Sequence, residues 1–310
     1  MAKEQKRSWI WIIVLLLILF LIAAIISSCI AFVSSSEPAK VGNIALIRID
    51  GVITSSGDSG IFGEQSATAD DIVSLIEKAD QNDNIKAILF EINSPGGAAV
   101  ASEEIANAVK KTNKTTVSYI RDVGASGAYW VASSTDHIFA SRMSITGSVG
   151  VIASYLEFSG LMEHYNVTYE RLVAGKYKDI GSPFKELTPV EKTLLQGQLD
   201  EIHQYFLDDV AENRHLTKAQ VNEISSGIFF IGARAKELNL IDEIGGKDEA
   251  VSYIESNLQI KAQIAEYSRE PSFFEMLSRL MNENSFFVGQ GMASFLTKNP
   301  QAVQRVNVWA

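Results

Sequence analysis

The chain has 310 residues, room for about two domains, or for one large α/β domain with appendages. It carries 27 Lys and Arg against 37 Asp and Glu, a formal charge of −10, which speaks against a nucleic-acid binder with a basic face. A single cysteine, Cys29, excludes an intrachain disulfide framework and a multi-cysteine metal site, and four histidines are too few for a histidine-rich one, so no metal or cofactor is expected.

Residues 9–33 (WIWIIVLLLILFLIAAIISSCIAFV) contain no charge. A helix of that length reaches roughly 37 Å and crosses a bilayer with some tilt. Lys3, Lys6 and Arg7 lie in the n-region 1–8, and the positive-inside rule puts that end in the cytoplasm and everything beyond about residue 35 on the outer side. The stretch is long for the apolar part of a cleaved signal. Residues 26–29 (ISSC) loosely resemble a lipoprotein processing site, but apolar residues 30–33 follow where a lipoprotein turns polar. A retained anchor over 9–33 is therefore expected, with processing near Cys29 left open and 34–40 as a linker.

The rest divides into a domain over 41–265 and a tail over 266–310. Residues 41–50 alternate as a strand, and 68–79 read as a helix capped at Thr68. Residues 85–92 (IKAILFEI) are nearly all apolar, as in a parallel strand buried on both faces. A Pro-Gly-Gly turn and a helix over 98–110 follow. Strands are expected at 115–120, 137–140, 149–155 and 167–173, with a small-residue segment at 124–133 that is helical from Ser126. Thr188-Pro189-Val190-Glu191 is a strong helix start, and that helix should run to about Asn213. Thr217 caps another helix, and helices at 231–238 and 247–257 flank a strand at 240–244. Strands alternating with helices give an α/β fold with parallel pairing. The tail carries an apolar cluster (Phe273, Phe274, Met276, Leu277, Leu280, Met281) suited to an amphipathic helix. Packing on the domain itself is the reading preferred over a partner or membrane surface.

Two glycine-rich turns follow strands, where open α/β sheets bind ligands. In Asn93-Ser94-Pro95-Gly96-Gly97, the glycines let backbone N–H groups face a developing oxyanion at a helix start. In Gly124-Ala125-Ser126-Gly127-Ala128, Ser126 has small neighbours on both sides, as a nucleophile on a tight turn requires. This differs from the G-x-S-x-G elbow, since position 128 is Ala. Simple turns and small-residue packing are the plain alternatives for both segments. A serine needs a base. His137, His164, His203 and His215 sit in ordinary strand or helix contexts. Lys176 and Lys178, in the Gly-bounded segment 175–181, are the other candidates, provided that an apolar site favours a neutral amine. A solvated loop is the plain reading of that segment, and spacing alone does not choose.

Together these segments resemble the signal peptide peptidase A family in its short, membrane-anchored form. They run in the family's order: an N-terminal anchor, NSPGG, GASGAYW, SITGSVG, GKYKDIGSPF with a Thr-Pro-capped helix, and GARAKELNLIDEIGG, with the resemblance covering about residues 41–260. The resemblance implies a ClpP/crotonase-like spiral of ββα units. It implies Ser126 as nucleophile, Lys178 as general base, Ser148 as the serine that orients the lysine, and Gly97 and Gly127 as oxyanion donors. Lys176 is the less favoured lysine. Ala128 replaces a usual glycine, and Asn239 stands where a glycine often precedes the following strand. The activity implied is cleavage of signal peptides and other membrane-associated peptides outside the membrane. A ring-like homo-octamer is implied, in which Ser and Lys meet across protomers. Three competitors use the same fold. A Clp-type triad would need a histidine about 25 residues after Ser126, where Val151 stands. An acyl-CoA enzyme does not suit an outward-facing domain. A catalytically inactive membrane scaffold would tolerate loss of Ser126 and Lys178.

Overall fold

Apolar β-branched runs separated by amphipathic stretches build the layers. In chain order the elements of the computed structural model are β1 (Ile44–Asp50), β2 (Ile53–Thr54), β3 (Ala67–Thr68), α1 (Ala69–Asp80), β4 (Ala87–Ser94), α2 (Ala99–Lys111), β5 (Thr115–Ala125), α3 (Gly127–Ser133), β6 (His137–Ala140) and β7 (Ile145–Gly147). There follow α4 (Ser159–His164), α5 (Pro189–Asn213), α6 (Lys218–Ile224), β8 (Phe229–Ile231), α7 (Gly232–Glu237), β9 (Glu243–Ile244), α8 (Lys247–Leu258) and β10 (Ile264–Tyr267). The structure describes residues 14–21, 23, 24, 27, 42–56 and 66–269.

The main sheet runs β10-β1-β4-β5-β6-β9, with every one of these neighbours parallel. β4, which starts two residues into the run IKAILFEI and continues to Ser94, is central and almost wholly buried. Alternate residues feed two cores. Ile47, Ile49, Ile88, Phe90, Ile92 and Ile120 face the layer of α1, α2 and α3. Ile44, Leu46, Leu89, Val117 and Phe139 face Ala250 and Ile254 of α8. Each such side chain contributes about 1.5–3 kcal/mol on burial.

The second face also holds one buried carboxylate. Burial pushes Glu91 up, but hydrogen bonds from Tyr119 and Arg121 and the charge of Arg48 outweigh it and hold the carboxyl below its usual range.

The helix starts expected at Thr68, Thr188 and Thr217 are all N-caps whose hydroxyls accept from the third helical residue. At Thr188 and Thr217 the capping box is complete. The strand expected at 115–120 runs on to Ala125, because its upper end finds a second partner. The register with β4 shifts between Ile92 and Ser94, and Val123–Ala125 pair with β7 instead of β6. β7 in turn pairs antiparallel with β8.

Two expected strands, 149–155 and 167–173, are not strands. Their alternation is real, but no neighbouring strand takes up their backbone groups, and apart from buried Val149 and half-buried Val151 their apolar side chains stand exposed, Ile152 at 89% and Leu172 at 96%. The strand expected at 240–244 shrinks to β9, paired with β6.

One compact unit closes at Tyr267, two residues beyond the expected domain end, because β10 pairs with β1. The tail from residue 270 lies outside the described residues. Of the expected anchor, residues 14–21 are helical, with exposed apolar side chains. The remainder of 9–33, apart from residues 23, 24 and 27, lies outside the described residues. Among those described, no helix is long and apolar enough to cross a membrane.

Candidate active site

Ser126 sits between β5 and α3 with φ 54° and ψ −128°. A positive φ is unusual for a non-glycine residue and marks a held, strained turn. The restraint is visible: the Ser126 N–H donates to the Gly147 carbonyl at 2.8 Å, and its own carbonyl accepts from Tyr129 and Trp130 at 2.8 and 3.0 Å. The strand below is pinned by β4 and β7, and the helix above is wholly buried. Ser126 itself is half-buried at the wall of a cavity of about 650 Å³.

The Pro-Gly-Gly turn reaches the same point. Gly96 has φ 95°, and a β-carbon there would lie 2.7 Å from the Gly127 nitrogen and 2.9 Å from Ser126 Cβ. Gly97 is bridged to Ile53: the Ile53 N–H donates to Gly96 O, and the Ala98 N–H donates to Ile53 O, both at 2.9 Å. A β-carbon on Gly97 would meet Ile53 O at 2.0 Å, and one on Gly127 would meet Ser102 Oγ at 2.1 Å and the Gly97 nitrogen at 3.4 Å. Glycine is required at all three positions by close approach. The fold thus brings Gly97 to the adjacent pair Ser126 and Gly127, which begins 29 residues further along the sequence, at one wall of one cavity. Two backbone amides beside a serine hydroxyl can stabilise the oxyanion of an acyl transfer.

Ser148 lines the cavity too. It follows Gly147, has φ 54°, donates its N–H to Ile228 O at 3.1 Å and its hydroxyl to Gly227 O at 3.2 Å. Lys178 does not line it. It is exposed in a turn whose N–H donates to Gly175 O at 3.1 Å. Lys176 lies over the ring of its neighbour Tyr177, at 5.0 Å.

Of the histidines, His203 alone lines the cavity, and its Nε2 lies 2.9 Å from the Val149 carbonyl, held by backbone. His137 stacks on Tyr253 at 4.0 Å, far from this chemistry in the fold. Val151, at the place of a Clp-type histidine, is also in the wall. Asn239 has φ 59°, the left-handed conformation that asparagine tolerates.

Sequence reasoning passed over Trp130 and Phe206, which complete the apolar wall. Their rings stack at 4.6 Å, and Trp130 Nε1 donates to Asp209 at 2.9 Å. The available signal was the spacing His203, Phe206, Val210 along one face of α5.

The description Peptidase family S49 matches residues 108–261, which include Ser126, Ser148 and Lys178. A Methanocaldococcus jannaschii protein named "Putative protease MJ0651" is 33% identical over 93% of this chain and 94% of its own length. An Enterococcus faecium protein named "Putative signal peptide peptidase SppA" is 30% identical over 77% of this chain and 70% of its own. The chain belongs to peptidase family S49. "Protease 4" of Haemophilus influenzae is 31% identical over 68% of this S49 chain, which spans only 34% of that longer protein. Membership in S49 makes the chain a peptidase and makes its likeness to signal peptide peptidase A one of kinship.

Proposed function

We propose that the chain is a membrane-anchored serine endopeptidase of signal-peptide remnants, with Ser126 as nucleophile and Lys178 as general base. The observation that carries it is the strained Ser126 turn, with the Gly97 and Gly127 amides beside it in one cavity. Neutral Lys178 takes the Ser126 proton as the oxygen attacks a peptide carbonyl. The amides of Gly97 and Gly127 hold the oxyanion. Lys178 then protonates the leaving amine, and water releases the acyl group from Ser126. Ser148, in the same wall, orients the incoming lysine.

The lysine comes from a second copy. Asp179, the residue after Lys178, is tied through Lys185 and Glu191 to the start of α5. Phe206, which packs on the nucleophile helix, lies fifteen residues further along, roughly 22 Å at helical rise. The segment that carries Lys178 exposes Ile152, Leu156, Leu161, Val167 and Leu172, and the β7–β8 edge exposes Ile145, Phe229 and Ile231. Apolar surface of this extent suits self-association, and two different patches suit a closed ring such as the octamer. The domain over 41–265 is assigned the ClpP/crotonase-like spiral. The anchor over 9–33 holds the site at the outer face of the cytoplasmic membrane, where its apolar peptide substrates lie.

The test uses the full chain in detergent. Ser126→Ala and Lys178→Ala each abolish hydrolysis of an apolar peptide, while Lys176→Ala stays active. Co-assembly of the two inactive variants restores activity at the interfaces that pair an intact serine with an intact lysine. Failure of two co-assembled variants to complement sinks the shared site, and activity in Ser126→Ala sinks the nucleophile.

A further inference from the structure

The turn that carries Lys178 is bounded by Gly175 at φ 104° and Gly181 at φ 78°. Within it, Lys176, Tyr177 and Lys178 are exposed. Nothing in such a loop would hold a lysine still. Yet the next residue, Asp179, has a side chain only 9% exposed. Its carboxylate takes a two-pronged bond from Arg171, through Nε and through Nη2 at 2.8 Å. Lys185 Nζ lies 3.6 Å from Oδ1, the oxygen that also accepts from Arg171 Nη2.

Lys185 also bonds Glu191 Oε1 at 2.6 Å, and Glu191, 5% exposed, receives the Thr188 N–H and hydroxyl at 2.9 Å each in the capping box of α5. Two carboxylates are thus taken out of water in a segment that is otherwise on the surface. Removing charges from water is costly unless their partners are well placed. Here the partners form one alternating chain: Arg171, Asp179, Lys185, Glu191.

We infer that this ion-pair chain is a positioning device: Asp179, clamped by Arg171 and Lys185 and tied through Glu191 to the first turn of α5, fixes the turn that aims Lys178. The inference rests on the assignment of Lys178 as base. The lysine side chain stays free to enter another copy's cavity, while the backbone one residue away is held to a 25-residue helix. A base misplaced by about 1 Å costs on the order of 100-fold in rate. Asp179, Arg171, Lys185 and Glu191 touch neither substrate nor the reacting atoms.

The deciding experiment compares wild type, Asp179→Asn, Asp179→Glu and Lys178→Ala as full chains in detergent. It reads kcat and KM on an apolar peptide, the rate at which a fluorophosphonate labels Ser126, assembly mass and thermal unfolding. Asp179→Asn should lower kcat about 10- to 100-fold and the labelling rate by the same factor. KM should stay within about twofold, with assembly intact, and Asp179→Glu should recover part of the loss. A wild-type kcat in Asp179→Asn overturns the inference, as does a loss that appears only in step with lost assembly. If Asp179→Asn does not fold, Arg171→Gln, on the exposed side of the clamp, is read by the same criteria. Activity surviving in Lys178→Ala instead removes the base assignment itself, whatever Asp179 does.

Discussion

The two halves of the proposed catalytic pair are built by opposite physics. Ser126 stands on a turn pressed between a buried strand and a buried helix, with its backbone angle imposed by neighbours on every side. Lys178 stands on a surface segment between β7 and α5 whose apolar residues face outward and whose anchorage is ionic. Dense packing leaves one arrangement and carries strain without yielding. An exposed segment held by charge leaves its apolar surface for something else to cover. A nucleophile benefits from the first kind of support, and a base delivered to another copy benefits from the second.

This contrast can be broken at several points. Ser126→Ala should have the largest effect, a loss of peptide hydrolysis of about a thousandfold or more with thermal unfolding unchanged; residual activity near wild type would remove Ser126 from the chemistry. Gly97→Ala comes next. Its β-carbon would lie 2.0 Å from the Ile53 carbonyl, so β2 or the turn must move and the Gly97 amide with it. A fall in kcat of about 100-fold is expected from loss of one oxyanion donor. At Gly127 the obstacle is the Ser102 hydroxyl at 2.1 Å. Part of the activity lost in Gly127→Ala should therefore return when Ser102→Ala is added, which kinetics on the double variant would read.

On the other side of the comparison, Ile152→Asp with Leu172→Asp should lower the assembly mass measured by light scattering and reduce activity more than tenfold. The fold of the single chain should be untouched, because both side chains are exposed within it. Activity retained by monomers would place the whole reaction within one copy.

Phe206→Ala removes the ring stacked on Trp130 in the core and should cost about 3 kcal/mol in stability, read by denaturant unfolding. The smallest effect is set by pH. The bond from Arg171 holds Asp179 down to about 2, and the bond from Lys185 holds Glu191 down to about 2. Both carboxyls are depressed, so their stabilisation is fully present above the ordinary carboxylate range and is lost as pH falls from about 4 through 2. Pepsin should accordingly cut within residues 158–187 as pH falls through that window, before it cuts the sheet. Simultaneous cleavage of both would erase the distinction between them.

Much of the nucleophile side was legible in the sequence. An apolar run, two glycines and a small-residue cluster each report a local constraint: burial on both faces, close backbone approach, a turn with no room for side chains. The structure met each at Phe90, Gly97 and Ser126. The helix caps were legible for the same reason, because Thr188 and Glu191 satisfy backbone groups within four residues of chain. The alternation at 149–155 and 167–173 predicts strands that the fold does not form. Alternation reports that a side-chain set wants cover, and it is silent on whether the same chain supplies the partner.

The sequence by itself determined the α/β class, the order of the motifs and the residue types at the nucleophile and its two amides, because those follow from periodicity and from what small residues permit. Only the tertiary structure decided that Gly97 and Gly127 converge beside Ser126, that Trp130 and Phe206 wall the same cavity, and that Lys178 lies outside it on a turn clamped by Asp179. Those facts depend on contacts between residues far apart in the chain, whose geometry is fixed only when the sheet and α5 pack together.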